Sequence, residues 1–385
     1  MASTDAEAKL KWLIGVHLPE NRNQWALEWR RQGRRVVGTL DCLIPEEIFY
    51  AAGMLPYRII ASHRADTPNA HLWRPVDVCR YCNHVLESLL TGELDFLDGL
   101  VFTDWDDDER RLYDVSHHLG KPAFNYIIHV PHQNSELAYN YYAKSLRRFI
   151  SDLETALEVK VTDDALWEAI KIYDKMRRLL MKLYEWRKRE APPVSGAEAL
   201  GIVLAAFFMP KERYVAELES LMDYLESRQT SLKRPQHRLL VASDRLDNLG
   251  YMELIEEEGA VVAMDDLDTG SRYFWQTAGS DSDPLYVLAR RYISKPACPR
   301  MFFFDQQVEQ VAQWVKEYNI DGVLHLPHMG SFDRLCCNPY FLERLTELGI
   351  PVMTFLREYH LANVGQLKTR IGAFLETLEA RARPG

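Results

Sequence analysis

Six cysteines are the residues of this chain best suited to chemistry, and several of them share one kind of position. They stand at 42, 79, 82, 298, 336 and 337. Cys42 ends a predicted strand just before a helix, and Cys79 and Cys82 fall in the first turns of another helix. Helix N-termini carry partial positive charge, which lowers the pKa of a thiol and favours a bound anion. Thiolates at such positions indicate an iron–sulfur site, although free cysteines are also common as small core residues.

A dense acidic run is the second chemical feature of the chain. The segment "FTDWDDDERRL" (102–112) has five acids in the six positions from Asp104 to Glu109. It follows "FLDGLVF", an apolar segment that predicts a buried strand. Acids at a helix start stabilise the helix by a few tenths to about 1 kcal/mol each, through capping and the helix dipole. Because five acids exceed what one cap needs, a metal ligand among them is an alternative interpretation.

The elements that must position these residues alternate between strand and helix at both ends of the chain. Predicted strands include "RRVVGTLDCLI" (34–44) and "KPAFNYIIHVP" (121–131) in the first part, and "HRLLVAS" (237–243) and "DGVLHLP" (321–327) in the last. The pattern predicts an α/β fold with two Rossmann-like parallel-sheet lobes, 1–135 and 236–385, and a helical segment, 136–235, between them. Open parallel sheets bind ligands beyond the carboxyl ends of their strands, so the site is expected in that crevice.

Composition disfavours several classes of function. The net charge of −10 and a pI near 5.7 argue against nucleic-acid binding, which requires a basic face. No stretch approaches the roughly 18 apolar residues of a membrane span, and the start of the sequence lacks the apolar core of a signal peptide. We expect a cytoplasmic protein without membrane or nucleic-acid partners. In that compartment, cysteines are free, metal-bound or catalytic rather than paired in disulfides.

Several segments resemble the 2-hydroxyacyl-CoA dehydratase and benzoyl-CoA reductase family. Five of them follow the family's order over nearly the whole chain: "IPEEIFYAAGMLPYRI" (44–59), "GELDFLDGLVF" (92–102), "EEEGAVVAMDDLDTGSRYF" (256–274), "DGVLHLP" (321–327) and "TRIGAFLETL" (369–378). A sixth, "VTDDALWEAIKIYDKMRRLL" (161–180), resembles benzoyl-CoA reductase subunits. The resemblance implies an iron–sulfur subunit of a low-potential acyl-CoA reductase or dehydratase, most like the smaller benzoyl-CoA reductase subunit.

The resemblance also implies partners and a reaction. It implies a homologous cluster-bearing subunit, an acyl-CoA thioester as substrate, and a separate ATP-hydrolysing iron–sulfur activator that supplies single electrons. The sequence has no Gly-x4-Gly-Lys-Ser/Thr loop, which agrees with ATP hydrolysis on another polypeptide. We expect one-electron ring reduction of the benzoyl-CoA reductase kind. The alternatives are a 2-hydroxyacyl-CoA dehydratase subunit, a double-cubane-cluster reductase, and a cluster-poor partner that is not catalytic by itself.

The family's cluster ligands carry over onto two cysteines and one aspartate. The resemblance places the first ligand at Cys79 and the third at Cys337, which precedes Asn338-Pro339 and a predicted helix. The second ligand position falls on Asp106. Asp106 could ligate iron as a harder carboxylate ligand, or the chain could have lost a standard 4Fe-4S cluster. Alternatively, a neighbouring loop supplies the third thiolate, from Cys42, Cys82 or Cys336.

Other polar residues are candidates for binding and catalysis. Asp266 and Arg272 follow a strand end and are predicted to line the crevice, although a polar loop held by its own turn bonds gives the same pattern. Arg58 is a candidate for CoA phosphates, with a structural ion pair as the alternative. His325 and His328 flank a strand end near the third-ligand loop. They are the candidate proton donors, although such histidines are more often packed or hydrogen-bonded.

Overall fold

The computed structural model describes residues 2–229, 237–297, 299–301 and 304–382, with the backbone alone for 2–3, 332–338 and 382. Its framework is a pair of four-stranded sheets in which every neighbouring strand pair is parallel. The predicted α/β fold with two parallel-sheet lobes is therefore confirmed. The proposed boundaries at 135 and 235 stay predictions, and the second of them falls outside the described residues.

The two sheets have the same strand order. The first contains β1 (Val36–Thr39), β2 (Leu55–Arg58), β3 (Gly99–Thr103) and β4 (Phe124–Ile128), in the order β2-β1-β3-β4. The second contains β5 (His237–Ala242), β6 (Ala260–Asp266), β7 (Gly322–His325) and β8 (Val352–Thr354), in the order β6-β5-β7-β8. In each sheet the second strand is added on one side of the first strand and the later strands on the other side. The strand order therefore reverses between β1 and β3 and between β5 and β7. Ligands of such sheets bind outside the carboxyl ends of the strands at this switch point.

Helices cover both sheets and fill the middle of the chain. In the first lobe they are α1 (Ala2–Ile14), α2 (Gln24–Arg31), α3 (Glu46–Ala51), α4 (Arg80–Leu90) and α5 (Asp107–Leu119). The middle of the chain forms α6 (Glu136–Leu157), α7 (Asp163–Trp186), α8 (Gly196–Ala205) and α9 (Lys211–Ser227). The last part forms α10 (Gly250–Glu257), α11 (Ser271–Phe274), α12 (Pro284–Ser294), α13 (Phe304–Glu317), α14 (Phe332–Glu347) and α15 (Val364–Ala382). None of the described helices is both long enough and apolar enough to cross a bilayer.

One helix boundary differs from the sequence expectation. Asn338-Pro339 is expected to start a helix, because asparagine caps well and proline suits the first turn. The backbone of α14 instead begins at Phe332 and runs through Pro339. Cys336 and Cys337 therefore lie within a helix rather than before one, and their side chains are outside the described residues.

Buried ion pairs attach the helical segment to the first lobe. On α7, Arg177 contacts Glu47 of α3, and it donates to Asp174 at 2.9 Å. At the start of α9, the ammonium of Lys211 lies 3.1 Å from a carboxylate oxygen of Glu46. Arg177, Glu47, Lys211 and Glu46 are each at most 4% exposed. A buried charge is tolerated when it is paired, so these contacts fix how α7 and α9 lie on α3.

Replacing Arg177 by leucine removes one member of this buried network. We expect Arg177→Leu to lower the free energy of unfolding by about 3–5 kcal/mol, because Glu47 is left buried and uncompensated. Urea unfolding monitored by circular dichroism measures this change. Arg178→Leu, at the exposed neighbouring position, is the matched control and should unfold like the unmodified protein. Equal stability of the two variants would contradict the structural role of the pair.

Candidate functional site

A cysteine, a histidine and an aspartate from three elements meet at the carboxyl ends of the two sheets. Cys79 is the residue before α4, and its Sγ lies 3.3 Å from Nε2 of His328, in the loop after β7. The Nδ1 of the same ring lies 2.9 Å from Oδ1 of Asp244, which follows β5. All three side chains are at most 1% exposed. Asp244 therefore fixes the orientation of the His328 ring, and the ring places a nitrogen against the sulfur.

Electrostatics favour a charged pair of thiolate and imidazolium at this position. A hydrogen bond from Cys82, followed by the charge of His328, lowers the pKa of the Cys79 thiol well below its usual value. Burial opposes ionisation of His328, but Asp244 and Cys79 together raise its pKa to about 9. Burial and the hydrogen bond with Cys79 raise the pKa of Cys82. Cys79 is thus the thiolate of the two, and Cys82 is the neutral donor.

The loop between β7 and α14 can reach Cys79 only because Gly330 has no side chain. A Cβ on Gly330 would lie 2.1 Å from the carbonyl oxygen of Val78, and its φ of +76° also favours glycine. Arg357 holds the other side of this loop. Its Nε donates to the Leu326 carbonyl at 3.0 Å, and its carbonyl accepts from Met329 N at 2.7 Å. The backbone thereby brings His328 against α4.

The acidic run meets this site at Asp106. Asp106 is the N-cap of α5, and its Oδ1 accepts from the backbone N–H groups of Asp108, at 2.7 Å, and Glu109, at 3.4 Å. Its Oδ2 forms an ion pair with Arg300. Arg300 also donates to Ser331 at 3.2 Å, and Ser331 donates to Asp244 at 2.5 Å. Asp106 is thus linked to the Cys79–His328–Asp244 group through hydrogen-bonded neighbours.

A second set of buried charges lies between the two lobes. Arg58, at the end of β2, forms an ion pair with Asp268, which follows β6. Arg245, which follows β5, pairs with Glu109 of α5, and its Nε lies 3.6 Å from Asp268. The guanidinium of Arg245 also lies over the ring of Tyr81, 4.1 Å from its centroid. Together, Arg58 and Arg245 hold the pKa of Asp268 well below its usual value, although burial acts in the opposite direction.

Cys42 belongs to a different environment from Cys79. The ammonium of Lys295 donates to its sulfur at 2.5 Å and to the carbonyl of Arg272 at 2.9 Å. Burial, with a smaller effect of Asp268, raises the pKa of Cys42, and burial lowers the pKa of Lys295. The contacts of Cys42 are therefore those of a buried thiol with a lysine.

Comparison with known proteins assigns the chain to a family. The family model described as 2-hydroxyglutaryl-CoA dehydratase, D-component, matches residues 42–378. The chain belongs to this family. It is 23% identical over 363 residues to the beta subunit of (R)-phenyllactyl-CoA dehydratase from Clostridium sporogenes, covering 93% of this chain and 96% of the relative.

Two further relatives of the dehydratase family show the same extent of similarity. One of the subunits of benzoyl-CoA reductase from Thauera aromatica is 23% identical over 365 residues, which is 92% of this chain and 94% of the relative. The beta subunit of (R)-2-hydroxyglutaryl-CoA dehydratase from Acidaminococcus fermentans is 24% identical over 365 residues, with 91% and 94% covered. All three are subunits of enzymes, so this chain is a member of a family of enzyme subunits.

The ligands predicted for an iron–sulfur cluster of the dehydratase family do not all come together. Cys79 is a buried cysteine at the expected crevice, the pKa of its thiol is lowered, and it fits one ligand position. Asp106 has both carboxyl oxygens engaged by α5 and Arg300, so it does not fit unless those contacts are given up. Cys42 contacts Lys295, and Cys337 lies outside the described side chains. Within the part of the chain that is described, no three His, Cys, Asp or Glu side chains form a metal site.

The other predicted site residues are all buried. Arg58 pairs with Asp268, and Arg272 pairs with Asp266 through a contact of 2.8 Å. Contact of Arg58, Asp266 or Arg272 with CoA stays a prediction, since their described contacts are internal. Of the two histidines, the structure brings His328 into the site. The ring of His325 packs 5.6 Å from that of Phe341, and a catalytic role for either histidine stays a prediction.

Sequence reasoning missed Asp244, Ser331 and Arg300. Asp244 follows the predicted strand "HRLLVAS" directly, which is the same position that singled out Asp266, so it could have been found. Ser331 and Arg300 carry no such signal, because their partners are distant in the sequence. Asp244 and Arg300 are 87 and 31 residues from Ser331, respectively.

Removal of the Asp106 carboxylate tests whether it is a structural residue. We expect Asp106→Ala to lower the free energy of unfolding by about 3–5 kcal/mol, because Arg300 is left as a buried charge and α5 loses its cap. Asp107→Ala is the control, since the Asp107 side chain is 79% exposed. Urea unfolding of both variants gives the comparison. If Asp106→Ala were as mild as the control, the pair with Arg300 would not be structural, and a ligand role for Asp106 would gain support.

Proposed function

We propose that this chain is one subunit of an acyl-CoA dehydratase or a benzoyl-CoA reductase-like enzyme and that it works with a homologous partner subunit. The named relatives are subunits of such enzymes, and the chain covers at least 94% of each of the three. We further propose that Cys79 and Cys337 hold a four-iron cluster beside an acyl-CoA thioester. The observation that carries this proposal is the position of the Cys79 sulfur, at the carboxyl ends of the strands and against an oriented histidine.

The surrounding residues suit a one-electron site. When bound, such a cluster supplies electron transfer at low potential, at a value that depends on hydrogen bonds to its sulfur ligands. His328 Nε2 lies 3.3 Å from the Cys79 sulfur, within hydrogen-bond distance, and Asp244 keeps the ring in that orientation. Burial of both residues excludes water from the sulfur. The electrons would come from a separate ATP-hydrolysing iron–sulfur activator, which agrees with the absence of a phosphate-binding loop motif from this sequence.

A second candidate function follows from the Asp106–Arg300 pair. The resemblance puts a cluster ligand at position 106, but Asp106 caps α5 and neutralises a buried arginine. A subunit with this substitution could complete the interface and the acyl-CoA pocket for a catalytic partner without a standard cluster of its own. This cluster-poor subunit differs from the first candidate in its iron content.

Iron and acid-labile sulfide per chain distinguish the two candidates. For protein purified and reconstituted anaerobically, the first candidate predicts about four of each per chain. Cys79→Ala should abolish both, and Cys42→Ala should retain them because Cys42 contacts Lys295 instead. Iron close to zero in the unmodified, folded chain would contradict the first candidate and support the second. Equal loss in both cysteine variants would show that the Cys79 site is not the specific ligand position.

A further inference from the structure

A separate cleft of about 550 Å³ opens between the N-terminal helices and the strand ends of both lobes. One wall is the segment from Lys11 to Arg22, and the opposite walls are the loops after β2 and β5. Residues of this cleft that bear on the argument are Lys11, His17, Arg22, His63, Asp247 and Asn248. The first wall precedes residue 42, where the family match begins. The cleft is therefore built partly from sequence that the family match does not include.

Arg22 is a buried cation in this cleft without an anionic partner. Its side chain is 7% exposed, and its guanidinium lies 3.2 Å from Nδ1 of His63 and near the phenol of Tyr57. Its Nε has no hydrogen-bond acceptor, and no carboxylate lies within ion-pair distance of Arg22, among the described residues. The buried Arg58 and Arg245 have carboxylate partners, and the buried Arg291 and Arg357 donate to backbone carbonyls instead. A buried charge with so few acceptors is costly, so an anion bound in the cleft would stabilise Arg22.

Asp247 supplies the complementary group. It is 2% exposed, and its Oδ2 accepts a hydrogen bond from the hydroxyl of Tyr359. Its Oδ1 accepts none within the described part of the chain. Asp247 and Arg22 line the same cleft without forming an ion pair with each other there. A ligand that binds between them needs a negative group for Arg22 and a hydrogen-bond donor for Asp247.

We propose that this cleft binds a phosphate ester that carries a free hydroxyl, of the kind found in a ribonucleotide. Arg22 binds the phosphate, and Asp247 accepts a hydrogen bond from a ribose hydroxyl. Ile14, Leu249 and Leu361 line the same cleft and provide an apolar surface for a base. Two sources share this chemistry, the nucleotide end of an acyl-CoA and a free nucleotide. The first source rests on the proposed function, and the second does not.

Tyr359 connects the cleft to the Cys79 site. Its hydroxyl donates to Asp247, and its ring lies 5.9 Å from that of His328 and 5.5 Å from that of Tyr81. A ligand in the cleft is thus separated from the histidine of the site by one aromatic side chain. This position places the phosphate ester close enough to be part of the same bound substrate or to act on the site as a second ligand.

Titration calorimetry on the full chain tests the proposal with adenosine 3′,5′-bisphosphate, AMP, adenosine and inorganic phosphate as probes. We expect at least one nucleotide to bind, and adenosine to bind far more weakly. Arg22→Leu should weaken nucleotide binding by about tenfold to a hundredfold, as expected for the loss of a charged hydrogen bond. Arg22→Lys should recover part of the affinity. Asp247→Asn should weaken the binding of AMP more than the binding of inorganic phosphate, because inorganic phosphate has no ribose hydroxyl.

Arg31→Leu is the matched control, because Arg31 is an exposed arginine on α2 that pairs with Glu28. It should leave nucleotide binding unchanged, and thermal unfolding should verify that every variant is folded. Stronger binding of the 3′,5′-bisphosphate than of AMP would identify the nucleotide end of an acyl-CoA as the ligand. Equal binding of the two would identify a free nucleotide. Failure of all probes to bind at millimolar concentration, or equal affinity in Arg22→Leu, would overturn the proposal. Iron content is independent of this binding, so the two proposals fail separately.

Discussion

Three buried arginine–carboxylate pairs join residues of the first lobe to the last part of the chain. Arg58 pairs with Asp268, Glu109 with Arg245, and Asp106 with Arg300. An unpaired charge in such an interior costs several kcal/mol, so each pair restricts the two sheets to relative positions that keep its partners in contact. The contact between Cys79 and His328 crosses the same boundary. The site therefore exists only when these pairs have brought the carboxyl ends of both sheets together.

The acidic run after β3 is mostly structural. Asp104 accepts from the backbone N–H of Val130 at 2.8 Å, Asp106 caps α5 and pairs with Arg300, and Asp108 pairs with Arg74 at 2.7 Å. Glu109 pairs with Arg245, and Asp107 is exposed. Burial, with the charges of Cys79 and Asp106, raises the pKa of Asp108 to about 7. Capping alone does not explain five acids, but capping together with three arginines explains most of them.

The local sequence pattern predicted the fold, but it did not predict the long-range contacts of the candidate site residues. Alternating strands and helices give the two parallel sheets, and Cys79 lies at the start of α4, as expected from helix and strand signals. The contacts of Asp106 with Arg300 and of Cys79 with His328 could not be predicted in this way, because the partners are far apart in the sequence and no local rule pairs them. The predicted start of α14 at Asn338-Pro339 was wrong. These residues suit a helix start, but the helix has already begun at Phe332.

A double-mutant cycle on Glu109 and Arg245 tests most directly whether buried ion pairs assemble the site. The free energies of unfolding of Glu109→Gln, Arg245→Met and the double variant are compared with that of the unmodified protein. The account predicts a coupling energy of about 1.5–3 kcal/mol, because each single variant leaves one buried charge without its partner. Additive effects, within about 0.5 kcal/mol, would contradict it, since the two lobes would then be held together without this pair.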